Sequence, residues 1–326
     1  MVKLRREWNI APIEMRSAYC SALIAQAEKD ARIVSLNCDL SSSCGTKEFG
    51  KLFPERSYNL GIQEQNVCAM AGGLSASGLV PFFHTFAVFA TRRVFDQAFL
   101  SCAYAGQNVK IVGCDVGVSA TYNGGTHMPF EDVAIMRAIP TVTIVEASDP
   151  TMMRSLVPQI AETYGVFYLR LPRKNVYDLY EPDSTFTLGK AEIIREGTDV
   201  TLIAAGMEVI QALRASEQLA AEGISARVVD MFTIKPLDRE CVIRCAEETG
   251  AIVTCENANV IGGLGSAVAE VLAENVPTPM ERIGAQDTFG EVGELPYLEE
   301  RFGLTPPYIV EKAKRVIARK AGGNRI

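Results

Sequence analysis

Tyr58-Asn59-Leu60-Gly61-Ile62-Gln63-Glu64-Gln65-Asn66-Val67-Cys68-Ala69-Met70-Ala71-Gly72-Gly73 organises the rest of the chain. A short apolar piece runs into a glycine turn, and a helix is predicted to begin at about Gln63. Its first turn holds one acid, Glu64, among amides, and its body is almost wholly small residues. Gly72 and Gly73 each cost a helix about 1 kcal/mol relative to alanine, so close approach by a neighbouring element is predicted at both. A carboxylate beside such a surface is partly withdrawn from water. A second reading of the same residues stands beside this one: Glu64 as a solvated charge that complements the helix N-terminus.

Working outward, residues 15–29 read as an amphipathic helix and residues 33–36 as a buried strand. The polar Ser41-Ser42-Ser43 loop follows that strand, at the end where parallel sheets collect ligands. Further strands are predicted at 57–60, 80–83, 109–114, 141–145 and 166–171. Helices are predicted at 92–104, 130–137 and 150–161. Residues 175–187, rich in Asp, Tyr and Pro, read as a linker. Alternation then resumes, with strands at 200–204, 226–230 and 251–255 and helices at 208–222 and 238–248. Gly262-Gly263-Leu264-Gly265 opens a helix to 274. That run is either a phosphate-cradling turn or, the preferred reading, a tight strand–turn–helix packing. The basic tail, 312–325, reads as a solvated helix and frayed end. Strands alternating with helices define an α/β protein with a mostly parallel sheet in each of two domains.

Composition bounds the function. The chain has 326 residues, 48% hydrophobic and 22% charged, the balance of an ordinary globular protein of about two domains. A net charge of −7 with no offsetting basic block argues against a nucleic-acid surface. The N-terminal residues show no apolar signal core, and the longest apolar run, 79–90, is too short to span a bilayer. Nine scattered cysteines without CxxC spacing point to reduced thiols and a cytoplasmic protein.

Four segments resemble the transketolases and their thiamine-diphosphate relatives. They are residues 61–78 (GIQEQNVCAMAGGLSASG), 84–90 (HTFAVFA), 124–127 (GGTH) and 261–265 (IGGLG). The match covers nearly the whole chain, in order, as the C-terminal half of a transketolase. It implies a pyrimidine-binding domain at 1–175, a linker at 176–187 and a transketolase C-terminal domain at 188–326. In that family an acid shares a proton with the cofactor's aminopyrimidine ring and thereby activates its reactive carbon; the matching residue here is Glu64. Phe86 and Phe89 match the rings that pack on the pyrimidine. His127 matches a catalytic histidine of the substrate channel, and Arg16, Ser43 and Arg173 match positions that bind the sugar phosphate. Three departures stand out. The family's substrate histidine falls on Asp115, the acid that reads sugar hydroxyls falls on Asn123, and the usual ENH reads Glu256-Asn257-Ala258. An anion at 115 repels a phosphate unless an arginine screens it, so an altered ketose is expected. The role of His84 stays open.

The family holds the diphosphate through Mg²⁺ with a Gly-Asp-Gly segment, and no GDG occurs in the sequence. The resemblance therefore implies a separate N-terminal transketolase-like subunit carrying the diphosphate and Mg²⁺ site, and a homodimer of this chain within a heterotetramer. The expected activity is transfer of a two-carbon ketol unit from a ketose to an aldehyde. Two alternatives are the beta subunit of a 2-oxoacid dehydrogenase E1 component and a non-catalytic assembly partner.

Overall fold

The structure, a computed structural model, describes residues 2–321. Its first half contributes six strands: β1 (Ile33–Asn37), β2 (Ser57–Asn59), β3 (Val80–Phe86), β4 (Lys110–Cys114), β5 (Thr143–Glu146) and β6 (Phe167–Leu171). The second half contributes β7 (Glu192–Arg195), β8 (Val200–Ala204), β9 (Ala226–Asp230), β10 (Thr233–Lys235), β11 (Ile252–Asn259) and β12 (Met280–Ala285). One sheet has the order β10-β5-β6-β4-β3-β1-β2, the other β12-β11-β8-β9-β7. All pairings are parallel except β10 against β5 and β7 against β9, where an antiparallel strand closes one edge of each sheet. β1, β4, β6, β8 and β9 are buried at every residue, as strands covered by helices on both faces must be. Among the described residues no helix is long and apolar enough to cross a membrane. All nine cysteines are free and buried.

Local chemistry sets the helix ends. Asp149 caps the Pro150–Glu162 helix, accepting from the Met152 N–H at 2.7 Å with Pro150 at the first helical position. Its second oxygen accepts from the N–H groups of Leu179 and Tyr180 at 3.1 and 3.0 Å. That acid thus pins residues 175–187. The segment is irregular, as its composition predicts, but it is an ordered strap: Tyr180 is fully buried, with its hydroxyl on Asp230.

Several expectations need correction. Residues 92–104 form a broken run: a 3-10 turn (Arg92–Val94), one α-turn (Phe95–Gln97) and a π-helix (Ala98–Tyr104). The π-helix is what Gly72 meets, since a Cβ there would lie 2.4 Å from the Ser101 carbonyl oxygen. A Cβ at Gly73 would meet nothing within 4 Å among the described residues, so close packing explains one of the two glycines and not the other. β3 runs on to Phe86 because His84 and Thr85, although polar, are buried and paired to β4. β7, β10, β12 and the Leu295–Arg301 helix carry no clear sequence period and lie outside the elements that the sequence predicts. The terminal helix, Pro306–Ala321, is not simply solvated. It buries Ile309, Val310, Ala313 and Val316 against the Glu208–Ala221 helix and β12. Residues 322–325 of the basic tail lie outside the described residues.

The two sheets are joined through Arg170, which has no exposed surface. Its Nε donates to Asp132 Oδ2 at 2.8 Å, its Nη1 to Glu146, and its Nη2 to the Asn257 carbonyl at 2.9 Å. Burial opposes the arginine's charge, but Asp132 and Glu146 outweigh it and hold the guanidinium protonated.

Candidate active site

The family-matched residues of the first half gather at the carboxyl ends of strands and in the loops and short helices around them, the edge where open α/β sheets bind ligands. Gly61, at φ +81°, turns the chain out of β2 and sets Glu64 at the start of the Glu64–Ala76 helix. Glu64 is only 2% exposed, which decides between the two sequence readings: it is not a solvated helix-end charge. Oε2 accepts from Arg93 Nη1 at 2.8 Å, while among the described residues Oε1 receives only a long contact from Thr85 Oγ1 at 3.4 Å. One carboxylate oxygen is therefore firmly fixed and the other weakly engaged.

Phe86 ends β3 and Phe89 lies in the helix that follows, with their centroids 6.3 Å apart. His127 meets both rings edge-on, at 5.9 and 5.3 Å. Its Nδ1 shares a 2.8 Å hydrogen bond with Thr126 Oγ1, and Arg92 Nη2 holds the Thr126 carbonyl at 3.2 Å. Gly125 has no room for a side chain, because a Cβ would lie 2.3 Å from the Gly290 carbonyl oxygen. The second half thus backs the loop that carries His127. A cleft lined by Arg92, Gly125, Met128 and residues 287–290 borders this loop.

A second cluster gathers charge. Asp115 follows β4, is fully buried, and lies 3.1 Å from Arg173 Nη2 beyond β6. Neither of its oxygens receives a hydrogen bond from the described residues. Burial pushes its carboxyl up to about 6, while Arg173, Arg16 and Lys174 pull it back. Arg173 is therefore paired with Asp115, and each offsets part of the other's charge. Arg16, in the first turn of its helix, donates to the carbonyls of Ser42 and Ser43 at 3.1 and 3.0 Å and pairs with Glu14 at 2.7 Å. Ser43 joins the cluster through its backbone carbonyl. Arg173 also lies 5.8 Å over the Phe86 ring, which links the two clusters. Asn123 is exposed at the end of the Gly117–Asn123 turn, beside Tyr122, whose ring faces Lys174 Nζ at 5.9 Å.

Two further segments are structural. Glu256 accepts from the Leu264 and Gly265 N–H groups at 2.7 and 2.8 Å, so the protein's own carboxylate fills the turn of the second-half glycine run. Asn257 clasps the loop after Asp115, donating to the Val116 carbonyl and accepting from the Val118 N–H. His84 is a core histidine. Its Nε2 lies 2.7 Å from the Tyr19 hydroxyl and its Nδ1 is 3.3 Å from both Ser35 Oγ and the Leu36 carbonyl. Burial lowers its pKa to about 4, with the Leu36 contact opposing.

Sequence reasoning missed Arg93. Its guanidinium lies 3.8 Å over Phe89 while gripping Glu64, and neither contact leaves a local pattern across the 29 residues that separate it from the acid. Thr85 lies inside one of the family-like segments without a role attached to it, and Lys174 is easily passed over beside Arg173.

Two mostly parallel sheets flanked by helices define an α/β class of protein, and comparison with known proteins gives the family. A model of the transketolase pyrimidine-binding domain matches residues 11–178, and one of the transketolase C-terminal domain matches 189–309. The chain belongs to the transketolase family. Among its relatives, the 6-deoxy-6-sulfo-D-fructose transketolase subunit SqwH of Clostridium sp. (strain MSTE9) is 49% identical over 319 residues, 98% of this chain and 97% of that one. A putative transketolase C-terminal section of Methanocaldococcus jannaschii is 40% identical over 93% of this chain and 95% of its own. The solved structure of a split gene transketolase, described as an inactive beta4 tetramer, superposes with a TM-score of 0.89 at 43% identity, covering 94% of this chain and 99% of that one.

Proposed function

We propose that this chain is the pyrimidine-binding and C-terminal subunit of a thiamine-diphosphate-dependent, transketolase-like transferase. It works in the cytoplasm with a separate chain that holds the diphosphate through Mg²⁺. The observation that carries this reading is Glu64, buried at a helix head with Oε2 held by Arg93 and Oε1 left with one weak contact. Bound thiamine diphosphate supplies a nucleophilic carbon for cleaving and forming the bond next to a ketose carbonyl. The residues present fit that group: Glu64 Oε1 is the oxygen available to share a proton with a ring nitrogen, and Phe86 and Phe89 give apolar faces that exclude water. With Nδ1 of His127 bonded to Thr126, Nε2 is the nitrogen through which this histidine exchanges protons with substrate oxygens. Arg16, Ser43 and Arg173 surround an anionic end of the sugar, and Asn123 contacts a hydroxyl.

The substrate is a ketose that ends in an anionic group. The sulfonated fructose in the name of the Clostridium relative supports that class. The subunit reading is supported by the same relative, which is named a subunit and which this chain matches nearly end to end. The beta4 tetramer of the split gene transketolase supports self-association of this chain within a heterotetramer.

Two measurements test the reading. Glu64→Gln, assembled with the diphosphate-binding chain, is expected to lower kcat by a factor of about 10²–10⁴, the range of general acid–base catalysis. Turnover within twofold of the parent removes Glu64 from the reaction. This chain purified alone, with thiamine diphosphate and Mg²⁺ added, is expected to show no ketol transfer. Activity without a partner overturns the subunit reading.

A further inference from the structure

We propose that Asp115 sets the charge of the substrate head group, making this site selective for a singly charged anion, such as a sulfonate, over a doubly charged phosphate ester. The inference rests on the proposed assignment of Arg16 and Arg173 to the anionic end of the sugar.

Charge balance decides which anion the cluster accepts. Arg16, Arg173 and Lys174 are the cations that act on Asp115. Arg16 already has a carboxylate partner in Glu14 at 2.7 Å, and Arg173 has one in Asp115 at 3.1 Å. Glu294 lines one cleft with Lys174, so the three cations are already balanced by three carboxylates. A monoanion adds one negative charge, and a dianion two, beside a carboxylate with no solvent exposure to dissipate them. A sulfonate carries one charge at any physiological pH, whereas a phosphate monoester, with its second pKa near 6, is mostly dianionic at neutral pH.

Asp115 has no other evident function in the fold. Its two oxygens receive no hydrogen bond from the described residues, although the side chain is fully buried. A buried polar group in that state calls for an explanation, and a fixed counter-charge behind Arg173 is one. The carboxyl, pushed up to about 6, is ionised at neutral pH. The backbone at 115 has φ +62°, a left-handed conformation that Asp and Asn tolerate better than other side chains. Asp115→Asn therefore removes the charge without straining the turn.

The experiment compares two dihydroxypropyl ligands of different head-group charge, glycerol 3-phosphate and 2,3-dihydroxypropane-1-sulfonate, the phosphate being longer by one bridging oxygen. Each is titrated calorimetrically into the assembled protein at pH 7.5. The parent is expected to bind the sulfonate at least as tightly as the phosphate. In Asp115→Asn the phosphate-to-sulfonate affinity ratio is expected to rise on the order of tenfold, the effect of one charge at about 6 Å with an effective dielectric of about 40. The ratio cancels any loss that both ligands share, so a variant merely loosened at this position does not move it. An unchanged ratio, or a shift toward the sulfonate, overturns the proposal. So does a parent that binds the phosphate tenfold more tightly, a result that needs no variant, and so does a parent that binds neither ligand. Anion binding as expected, in an assembly without ketol transfer, instead overturns the proposed reaction and leaves the head-group assignment standing.

Discussion

Among single residues, His84 shows how burial changes what a side chain is. Its folded pKa, about 4, lies below the ordinary histidine value near 6.5. As pH falls, the unfolded chain therefore takes up the proton first. The contribution to stability is whole above about pH 6.5 and is lost as pH falls through the window down to 4, for a total on the order of 3 kcal/mol. Buried acids with raised values, such as Asp149 and Glu256, act in the opposite direction. The informative quantity is thus the difference between the parent and His84→Gln. Urea unfolding at pH 7 and pH 4.5 is expected to show the parent losing more stability than the variant. Equal losses would mean that His84 is not held neutral. Glu64, Phe86, Phe89 and His127 can be singled out in the sequence because each sits inside a contiguous motif. Arg93 and the pairing of Asp115 with Arg173 cannot, because those contacts close between separate strand ends.

At the scale of elements, the Glu64–Ala76 helix carries a matched pair of tests. Gly72→Ala puts a methyl against the Ser101 carbonyl of the π-helix and is expected to destabilise by about 1–3 kcal/mol. Gly73→Ala meets open space and is expected to stabilise the chain by up to about 1 kcal/mol through helix propensity. Chemical denaturation of the two single variants measures both. A neutral Gly72→Ala would show that the π-helix yields, and a costly Gly73→Ala would show a contact that the lone chain lacks. Two adjacent glycines are indistinguishable in sequence, and what separates them is a turn 29 residues away. The same limit explains which elements were legible. Fully buried strands rich in aliphatic residues, such as β4 and β8, announce themselves, whereas β10, with three residues, has no period to read.

For the molecule as a whole, Arg170 is the joint. Asp132, Glu146 and the Asn257 carbonyl converge on it from both halves, with no exposed surface on the arginine. Arg170→Met leaves two buried carboxylates without their counter-charge, which typically costs about 3–5 kcal/mol. Calorimetry is expected to show a lower Tm. Adding Asp132→Asn and Glu146→Gln to the same chain is expected to recover part of the loss. If Arg170→Met alone leaves Tm unchanged, the joint is carried by packing instead. The overall architecture was legible from strand–helix alternation, but this joint was not: Arg170 lies mid-strand in an apolar run and looks like an outward-facing charge.

The strand β10 has a consequence for how the chain is made. It lies in the second half, past the strap, yet it covers the outer edge of β5 in the first sheet. A ribosome that has released every strand of the first half, through Leu171, has still produced a sheet with its β5 edge bare, and that edge waits for Thr233 to emerge. At about 5–20 residues per second, the wait lasts on the order of several seconds. During that time an unpaired parallel-sheet edge is open to other nascent chains. Expression in which translation stalls within residues 172–232 should therefore favour aggregation, and a fragment cut at the strap inherits the same bare edge permanently.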